Sequence, residues 1–595
     1  MTSYPPIRTE ARSGQTRLPR IRAAAPPVRA IPPDRTASPD RTASSGRIAS
    51  LGRAVSAPGQ GGAPARDELP ARADVVVVGG GHNGLACAAY LARAGRSVVV
   101  VEARDELGGC ASTVDAIGAR VNICNCDHTM ILASGIVDEL ALGAHGLRYL
   151  DVDPMGIAIG WGDEPAFVQW RSAERTLDGL ARTDLTAADA YRRYLAVALP
   201  AARLVADVQA SRPTGVAIAA SAARNRLRGA GTVLSWARRS LIDVLGGFGL
   251  PPWLIAAACT NGPAVWGLGP DAPGSGLGAL GFALRHLIGV GRPVGGSGAL
   301  PAALAECVRS YGGQLVTGAR VGGVLVRDGR VRGVRLADGR RIAAGTVVTA
   351  TDPRTVVVDW LDGVPAAARL HAHWAALPSA DGYESKLDAV VTALPSLRAT
   401  AEIPDDVLPE DEHLVPTVTV SPTPEQQVAA AAARARGEVS DPPMFLLNTP
   451  SVLDPAMRPA PDAHLLSLEV LWTPYGLPGG WSDPARPWSW LRRLASLGDP
   501  ALLSAVRDWR AMTPPDYERE FAMPRGYAPS FPGSVVAGLL GRPRELSRYR
   551  TPVAGLYLTG AGTFPGAGVW GASGRNTAQA ILSAHPRNPP AEAGR

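Results

Sequence analysis

Residues 74–113 read DVVVVGGGHNGLACAAYLARAGRSVVVVEARDELGGCAST. Val75–Val78 is a run too short and too β-branched for a helix and reads as a buried parallel strand. It feeds a glycine turn in which Gly79, Gly81 and Gly84 have the G-x-G-x-x-G spacing, and Leu85–Ala94 continues as an Ala/Leu helix ending at Gly95. The first glycine permits the tight turn, the second lets the backbone approach a pyrophosphate, and the third lets helix and strand pack closely. The helix N-terminus then offers unpaired N–H groups and a positive dipole end to the phosphates. A second strand, Ser97–Val101, ends in Glu102, whose carboxylate is placed to accept adenosine ribose hydroxyls. Strand, turn, helix, strand and acid in this order predict a dinucleotide site that takes in His82 and Asn83 in the turn and Ala103 and Arg104 after the acid.

Two further stretches bear on which dinucleotide it is. Gly108-Gly109 and then Ser112-Thr113 follow Glu102, an arrangement that resembles the extended FAD fingerprint of two-dinucleotide-domain flavoproteins and that a nicotinamide-only site does not need. Near the other end, residues 556–582 read LYLTGAGTFPGAGVWGASGRNTAQAIL. Leu556–Thr559 is a predicted strand, Gly560-Ala-Gly562 turns it, and Gly574–Leu582 begins a helix. Gly566, Gly568 and Gly571 between them let the backbone lie against a flat ring. Gly560, Gly562, Thr563, Gly568, Val569 and Gly571 are therefore candidate cofactor contacts.

At 595 residues the chain exceeds one compact core, so two packed domains with appendages are expected. Residues 1–66 hold 11 Arg against three acids, whereas the remainder holds 49 basic and 50 acidic residues. The basic character belongs to the tail, and the body carries no argument for nucleic-acid binding. That tail is rich in Pro, Ala, Ser and Arg and is expected to be disordered. It repeats PDRTAS at Pro33–Ser38 and Pro39–Ser44 and decays to SGRIAS and LGRAVS, which reads as a drifting repeat or as an electrostatic tether to acidic lipid or a partner. No apolar core of a secretory signal follows the Met and no 18-residue apolar run occurs, so a cytoplasmic protein is expected.

The six cysteines (Cys87, Cys110, Cys124, Cys126, Cys259 and Cys307) are scattered and give no disulfide framework, in keeping with a reducing compartment. Cys124-Asn-Cys126-Asp-His128 invites a metal reading, but no second cysteine pair or His cluster completes a tetrahedral set, and His371-x-His373 fares no better. No metal is expected. Lys386 is the single lysine among 60 basic residues.

The chain resembles the phytoene desaturase family of FAD-dependent oxidoreductases, in particular the branch holding carotenoid ketolases and phytoene-dehydrogenase-like proteins. Gly79–Leu85, Cys126-Asp-His128, Arg292–Pro301, Gly312–Val321, Ser451–Met457 and Thr559–Gly566 carry the resemblance, which spans about residues 72–584. It implies a Rossmann-like α/β flavoprotein fold with an interleaved α+β substrate domain. The implied division is a tail over 1–70, a discontinuous FAD domain over 72–150, 285–358 and 535–584, a substrate domain over 151–284 and 359–534, and a flexible end over 585–595. Strands Gln314–Thr317, Val321–Arg327, Arg330–Leu336 and Arg341–Ala350, with hairpin turns at Asp328-Gly329 and Asp338-Gly339, form the meander in which Val321 is implied to contact the adenine by its backbone. The helix after Gly574 is implied to point its N-terminus at the pyrimidine end of the isoalloxazine.

Lys386 matches the lysine that holds a water at flavin N5 in related amine oxidases, and is the candidate catalytic residue. Two departures stand out: Gly562 replaces an Asp of many relatives, and Phe564 stands where ketolases carry His. The expected function is hydride transfer to FAD from an apolar, polyene or isoprenoid substrate. The alternatives are a flavin amine oxidase and a non-catalytic carrier of the Rab escort/GDI type, which has no need of the Gly566–Gly574 motif. Ala187–Gln209 reads as an amphipathic helix. Leu227–Leu250, with Trp236 and Phe248 beside Arg226, Arg228, Arg238 and Arg239, has two readings: a face on an anionic membrane, or a core-packing helix with a solvated side.

Overall fold

The computed structural model describes residues 69–584 apart from 125, 380, 383, 410–414, 528–529 and 533–534. The Arg-rich repeat and residues 585–595 lie outside the described residues. The valine runs form the centre of a seven-stranded sheet. β1 (Arg72–Val78) and β2 (Val98–Val101) are parallel neighbours, and the rest of the chain adds strands on both sides of them. The hairpin β3 (Thr113–Ala116) and β4 (Ala119–Asn122) follows, then β5 (Tyr149–Val152), β6 (Gly156–Ile159) and β7 (Phe167–Gln169). β8 (Val290–Pro293) pairs with β5, and β9 (Gln314–Val316) completes one edge of the first sheet beside β2.

The meander β10 (Val321–Arg327), β11 (Arg330–Leu336) and β12 (Arg341–Thr349) closes the other side, and β12 lies parallel to β1. The β10–β11 connection is Asp328-Gly329 with φ of 52° and 68°, the left-handed pair that a two-residue hairpin turn demands. The second sheet holds β6 and β7 together with β13 (Glu384–Val391), β14 (Thr417–Val420), β15 (Phe445–Asn448), β16 (His464–Leu471) and β17 (Val506–Met512), in the order β17-β13-β16-β15-β14-β6-β7. β18 (Leu556–Leu558) returns to the first sheet parallel to β12. The result is a Rossmann-like α/β layer, crossed by α1 (His82–Arg93), with a mixed second sheet interleaved in sequence.

Alternation in the second sheet explains the position of the site. Leu387, Ala389 and Val391 share an apolar face with Leu466, Leu468, Val470, Phe445, Leu447, Val418 and Val420, and this face buries against Trp490 and Leu494. The other face carries Glu384, Lys386, Asp388, Ser467, Glu469, Asn448 and Thr417, all of them buried as well. A sheet buried on both sides with one face polar must satisfy that face from within the protein.

The stretch Leu227–Leu250 is not one helix. Ala230–Trp236 and Leu241–Gly246 are separate, Ser240 caps the second, and Pro270 accepts the Leu241 and Ile242 N–H groups. Trp236 stacks on Tyr194 (6.4 Å, 11°) with Phe248 edge-on, while Arg238 and Arg239 face outward, which is the core-packing reading. The long helix Leu185–Gln209 contains the predicted amphipathic stretch. Among the described residues no helix is long and apolar enough to cross a membrane.

Candidate functional site

The parallel strands end on one edge of the first sheet, and the glycine turn forms there. Gly79 has φ +101° and donates its N–H to the Val101 carbonyl at 2.8 Å, so the turn is tied to the end of β2. A Cβ on Gly84 would lie 2.1 Å from the Gly79 carbonyl oxygen, so only glycine lets α1 start this close to the strand. Gly81 is the N-cap of α1 and brings no side chain to cap the first-turn N–H groups, which leaves them for an anion. Glu102 is buried and accepts the Gly80 N–H (2.7 Å) and the Arg104 N–H (2.9 Å). The segment leading to Val321 is laced alongside: Ala319 N–H donates to the Glu102 carbonyl and Gly318 N–H to that of Arg104. Glu102, Ala103, Arg104 and Val321 thus meet at one corner.

Gly108, at φ +124°, donates its N–H to the Gly80 carbonyl, and with Gly109 at +57° it lays the second glycine pair over the first. Ser112 Oγ donates to the Gly109 carbonyl (2.7 Å) and receives Arg104 at 3.2 Å. Thr113 Oγ1 donates to Asn122 Oδ1 and accepts the Gly298 N–H, both at 2.8 Å.

The C-terminal motif reaches the same place. Ser573 Oγ accepts the Gly560 N–H at 3.1 Å and bonds the Thr559 and Thr563 hydroxyls, which folds the Gly560–Thr563 turn back onto the helix Ala572–Ala584. A Cβ on Gly574 would sit 2.1 Å from the Asn83 carbonyl oxygen, so that helix and α1 cross at backbone contact near their N-termini. Gly560, Gly566, Gly568 and Gly571 all take positive φ, whereas Gly562 does not. His82 joins the two glycine motifs. Its ring bonds the Gly568 backbone and the Asn83 amide (3.0 Å), and burial pulls its pKa down to about 4, so the imidazole is neutral. Val569 packs on the core beneath. Phe564 is buried edge-on to Phe531.

The residues present fit a dinucleotide. Asn83 Oδ1 is buried at the first turn of α1 with no hydrogen-bond partner among the described residues, and Gly81 faces space in which an added Cβ would meet nothing closer than 3.9 Å.

The polar face of the second sheet forms the opposite wall. Arg292 is buried and donates to Asp127 (2.7 Å), Asn448 (2.7 Å) and Thr417 (2.5 Å). His128 bonds the Tyr149 hydroxyl and Ser297 Oγ, each at 3.0 Å, and burial first, then the nearby His82, lowers its pKa to about 3. Lys386 is 1% exposed; its ammonium donates to the Asn122 carbonyl (2.7 Å), to Asp388 and to Ser467 (3.3 Å), so its three protons are engaged. Asp388 also receives Arg510 at 3.1 Å. Glu469 lies opposite Lys386 across β13–β16, and burial, reinforced by the Glu384 carboxylate, pushes its pKa up to about 8. Cys126 Sγ donates to Asn448 Oδ1 at 3.6 Å, and among the described residues no group of three or more His, Cys, Asp or Glu is arranged to hold an ion.

Sequence reasoning located both glycine motifs. It missed the Asp127–Arg292–Asn448 junction and the Glu384/Glu469 pair. Asp127 and Arg292 lie inside motifs that the sequence displays, but the carboxylates have no local signal, since only strand register brings them together.

A family model described as an NAD(P)-binding Rossmann-like domain matches residues 77–137. The chain is similar to pyridine nucleotide-disulfide oxidoreductase domain-containing protein 2 of Mus musculus, 28% identical over 562 residues that cover 86% of this chain and 93% of the relative. It is similar also to one of the subunits of limonene dehydrogenase of Castellaniella defragrans, 26% identical over 531 residues, covering 85% and 94% respectively. Among solved structures, wild-type putrescine oxidase bound to putrescine shares the fold with a TM-score of 0.55 at 17% identity, over 86% of this chain and 98% of that one.

Proposed function

We propose that the protein is an FAD-dependent oxidoreductase that removes hydride from a carbon of an apolar substrate. The observation that carries this reading is the convergence of two uncapped or glycine-lined helix starts, α1 and Ala572–Ala584, on one glycine-walled space beside the unpartnered Asn83 Oδ1. Gly79–Gly84 and the α1 N-terminus hold the pyrophosphate, Glu102 keeps lone pairs for ribose hydroxyls, and Val321 lines the adenine side. Gly108, Gly109, Ser112 and Thr113 fix the second turn, and Gly560–Gly571 border the ring. FAD, when bound, supplies the two-electron acceptor, which relieves the protein of that chemistry. Lys386, fully engaged with Asp388, is a positioning residue that holds Asn122 and the β4 end against the second sheet. His82 and His128, both neutral, donate or accept hydrogen bonds without adding positive charge.

The similarity to a limonene dehydrogenase component over most of the chain supports an apolar, terpenoid-like substrate. A second reading, amine oxidation, is favoured by one observation: the buried Glu384 carboxyl lies near Glu469 and near the Cys110 and Cys124 thiols, so this wall carries acid groups to which an amine could hydrogen-bond. The test is anaerobic titration of the purified full chain. Near-stoichiometric flavin absorbance that bleaches with terpenoids or polyenes and not with amines is the expected result; bleaching by amines alone selects the second reading, and absence of flavin rejects both.

A further inference from the structure

Two cysteines form a pair that neither the cradle nor the polar wall uses. Cys110 ends the second glycine turn, directly after Gly108-Gly109, and Cys124 follows β4. The β3–β4 hairpin pairs Thr113 with Asn122 and extends one step further, through the Ile123 N–H donating to the Ser112 carbonyl at 3.0 Å. Both cysteines therefore lie at the open end of the same hairpin, Cys124 one residue past Ile123 and Cys110 two residues before Ser112 in the turn Gly109–Ala111. The Cys110 and Cys124 thiols hydrogen-bond to each other, and Cys110 Sγ also lies 3.4 Å from Met523 Sδ. Around them pack Ile123, Met512 and Tyr517. Both retain partial exposure, whereas Cys87, Cys126, Cys259 and Cys307 are buried.

The pair is polarised. The hydrogen bond from Cys124 is the main influence on Cys110 and eases its ionisation, while the same contact holds Cys124 protonated. Cys126 is kept inert by burial, which pushes its thiol up to about 12. Cys110 is thus the more nucleophilic sulfur and Cys124 the resolving one.

We propose that Cys110 and Cys124 are a redox-responsive dithiol that closes into a disulfide on exposure to a peroxide, tying the Gly108-Gly109 turn of the cradle to the end of β4. The Cys110 thiolate attacks one peroxide oxygen: an S–O bond forms, the O–O bond breaks, and the departing oxygen leaves as hydroxide and takes up a proton. The Cys124 sulfur then attacks the Cys110 sulfur, the S–S bond forms as the S–O bond breaks, and the second oxygen leaves as water with the Cys124 proton. Two thiols lose two electrons and the peroxide gains them. A small dithiol reverses the closure by exchange. Peroxide is what a reduced flavin releases on meeting dioxygen, so the source of the oxidant rests on the proposed function; the pairing of the thiols does not.

The experiment titrates the purified full chain with hydrogen peroxide, alkylates the remaining thiols under denaturing conditions, and maps tryptic peptides by mass spectrometry. Cleavage at Arg104, Arg120 and Arg148 places Cys110 in the 105–120 peptide and Cys124 with Cys126 in the 121–148 peptide. The expected product is these two peptides joined with loss of two hydrogens and released by dithiothreitol, with fragment ions assigning Cys124. The cross-link persists in Cys126→Ser and disappears in Cys124→Ser. Overoxidation of Cys110 without a cross-link, an unmodified pair at peroxide concentrations that oxidise exposed methionine, or a bond to Cys126 overturns the proposal. Because fragment ions assign the bond in the wild-type chain, the result does not depend on the variants folding. A flavin spectrum recorded on the same sample separates the two ideas: a cross-link in protein without flavin leaves the dithiol standing and rejects the flavin reading, and flavin without a cross-link does the reverse.

Discussion

Lys386 shows how a conspicuous residue finds its place through its partners. Its ammonium and the Asp388 carboxylate are buried together, and Arg510 approaches the same carboxylate. Breaking such a pair leaves a charge without compensation in the interior. Lys386→Met is therefore expected to cost about 3 kcal/mol of unfolding free energy, and pairing it with Asp388→Leu to recover part of that loss, as read from urea midpoints. A substitution at the helix crossing acts by crowding. Gly574→Ala drives a methyl against the Asn83 carbonyl, so the variant is expected to lose about 1–3 kcal/mol and to purify with little flavin. Gly231→Ala, at a glycine of the helix Ala230–Trp236 where an added Cβ meets nothing within 4 Å, controls for the generic effect of replacing a helical glycine.

At the scale of elements, α1 does two things that pull apart under one substitution. Its N-terminus lacks a capping side chain, so a carboxylate in the first turn would stabilise the helix while repelling a bound pyrophosphate. Asn83→Asp is accordingly expected to leave the melting temperature of flavin-free protein unchanged or raised, and to weaken flavin retention by roughly tenfold, equivalent to about 1.4 kcal/mol. Equal loss of both would mean that Asn83 serves the fold alone. The second sheet makes a related point. Period-two alternation places Leu387, Ala389 and Val391 on the apolar side and Glu384, Lys386 and Asp388 on the other, so the same strand supplies both core and polar wall.

For the whole molecule the buried titratable groups set two opposing trends with pH. Glu469 has a folded pKa raised to about 8 from a reference of 4.5, so the folded state holds its proton while the unfolded state has released it. Its contribution to stability is full below about 4.5 and is lost as pH rises through 8. His82 and His128 have folded values lowered to about 4 and 3 from 6.5, so the unfolded state binds more protons in that window and stability falls on acidification below 6.5. Glu469→Gln is expected to flatten the alkaline limb of the melting temperature against pH and leave the acid limb in place; an unchanged alkaline limb would assign that limb to other groups. The valine runs, the glycine spacings and the Asp328-Gly329 turn were legible in the sequence because each acts on its own neighbours, through β-branching, left-handed backbone or close approach. Those local rules determined by themselves the Rossmann-like layer and the places where the two glycine motifs bend. The partners of Lys386, the Arg292–Asp127 junction, the Glu384/Glu469 wall and the contact of Cys110 with Cys124 were decided only by tertiary structure. Each joins side chains from separate segments, and both burial and pairing depend on how sheets stack and strands register, which no local pattern encodes.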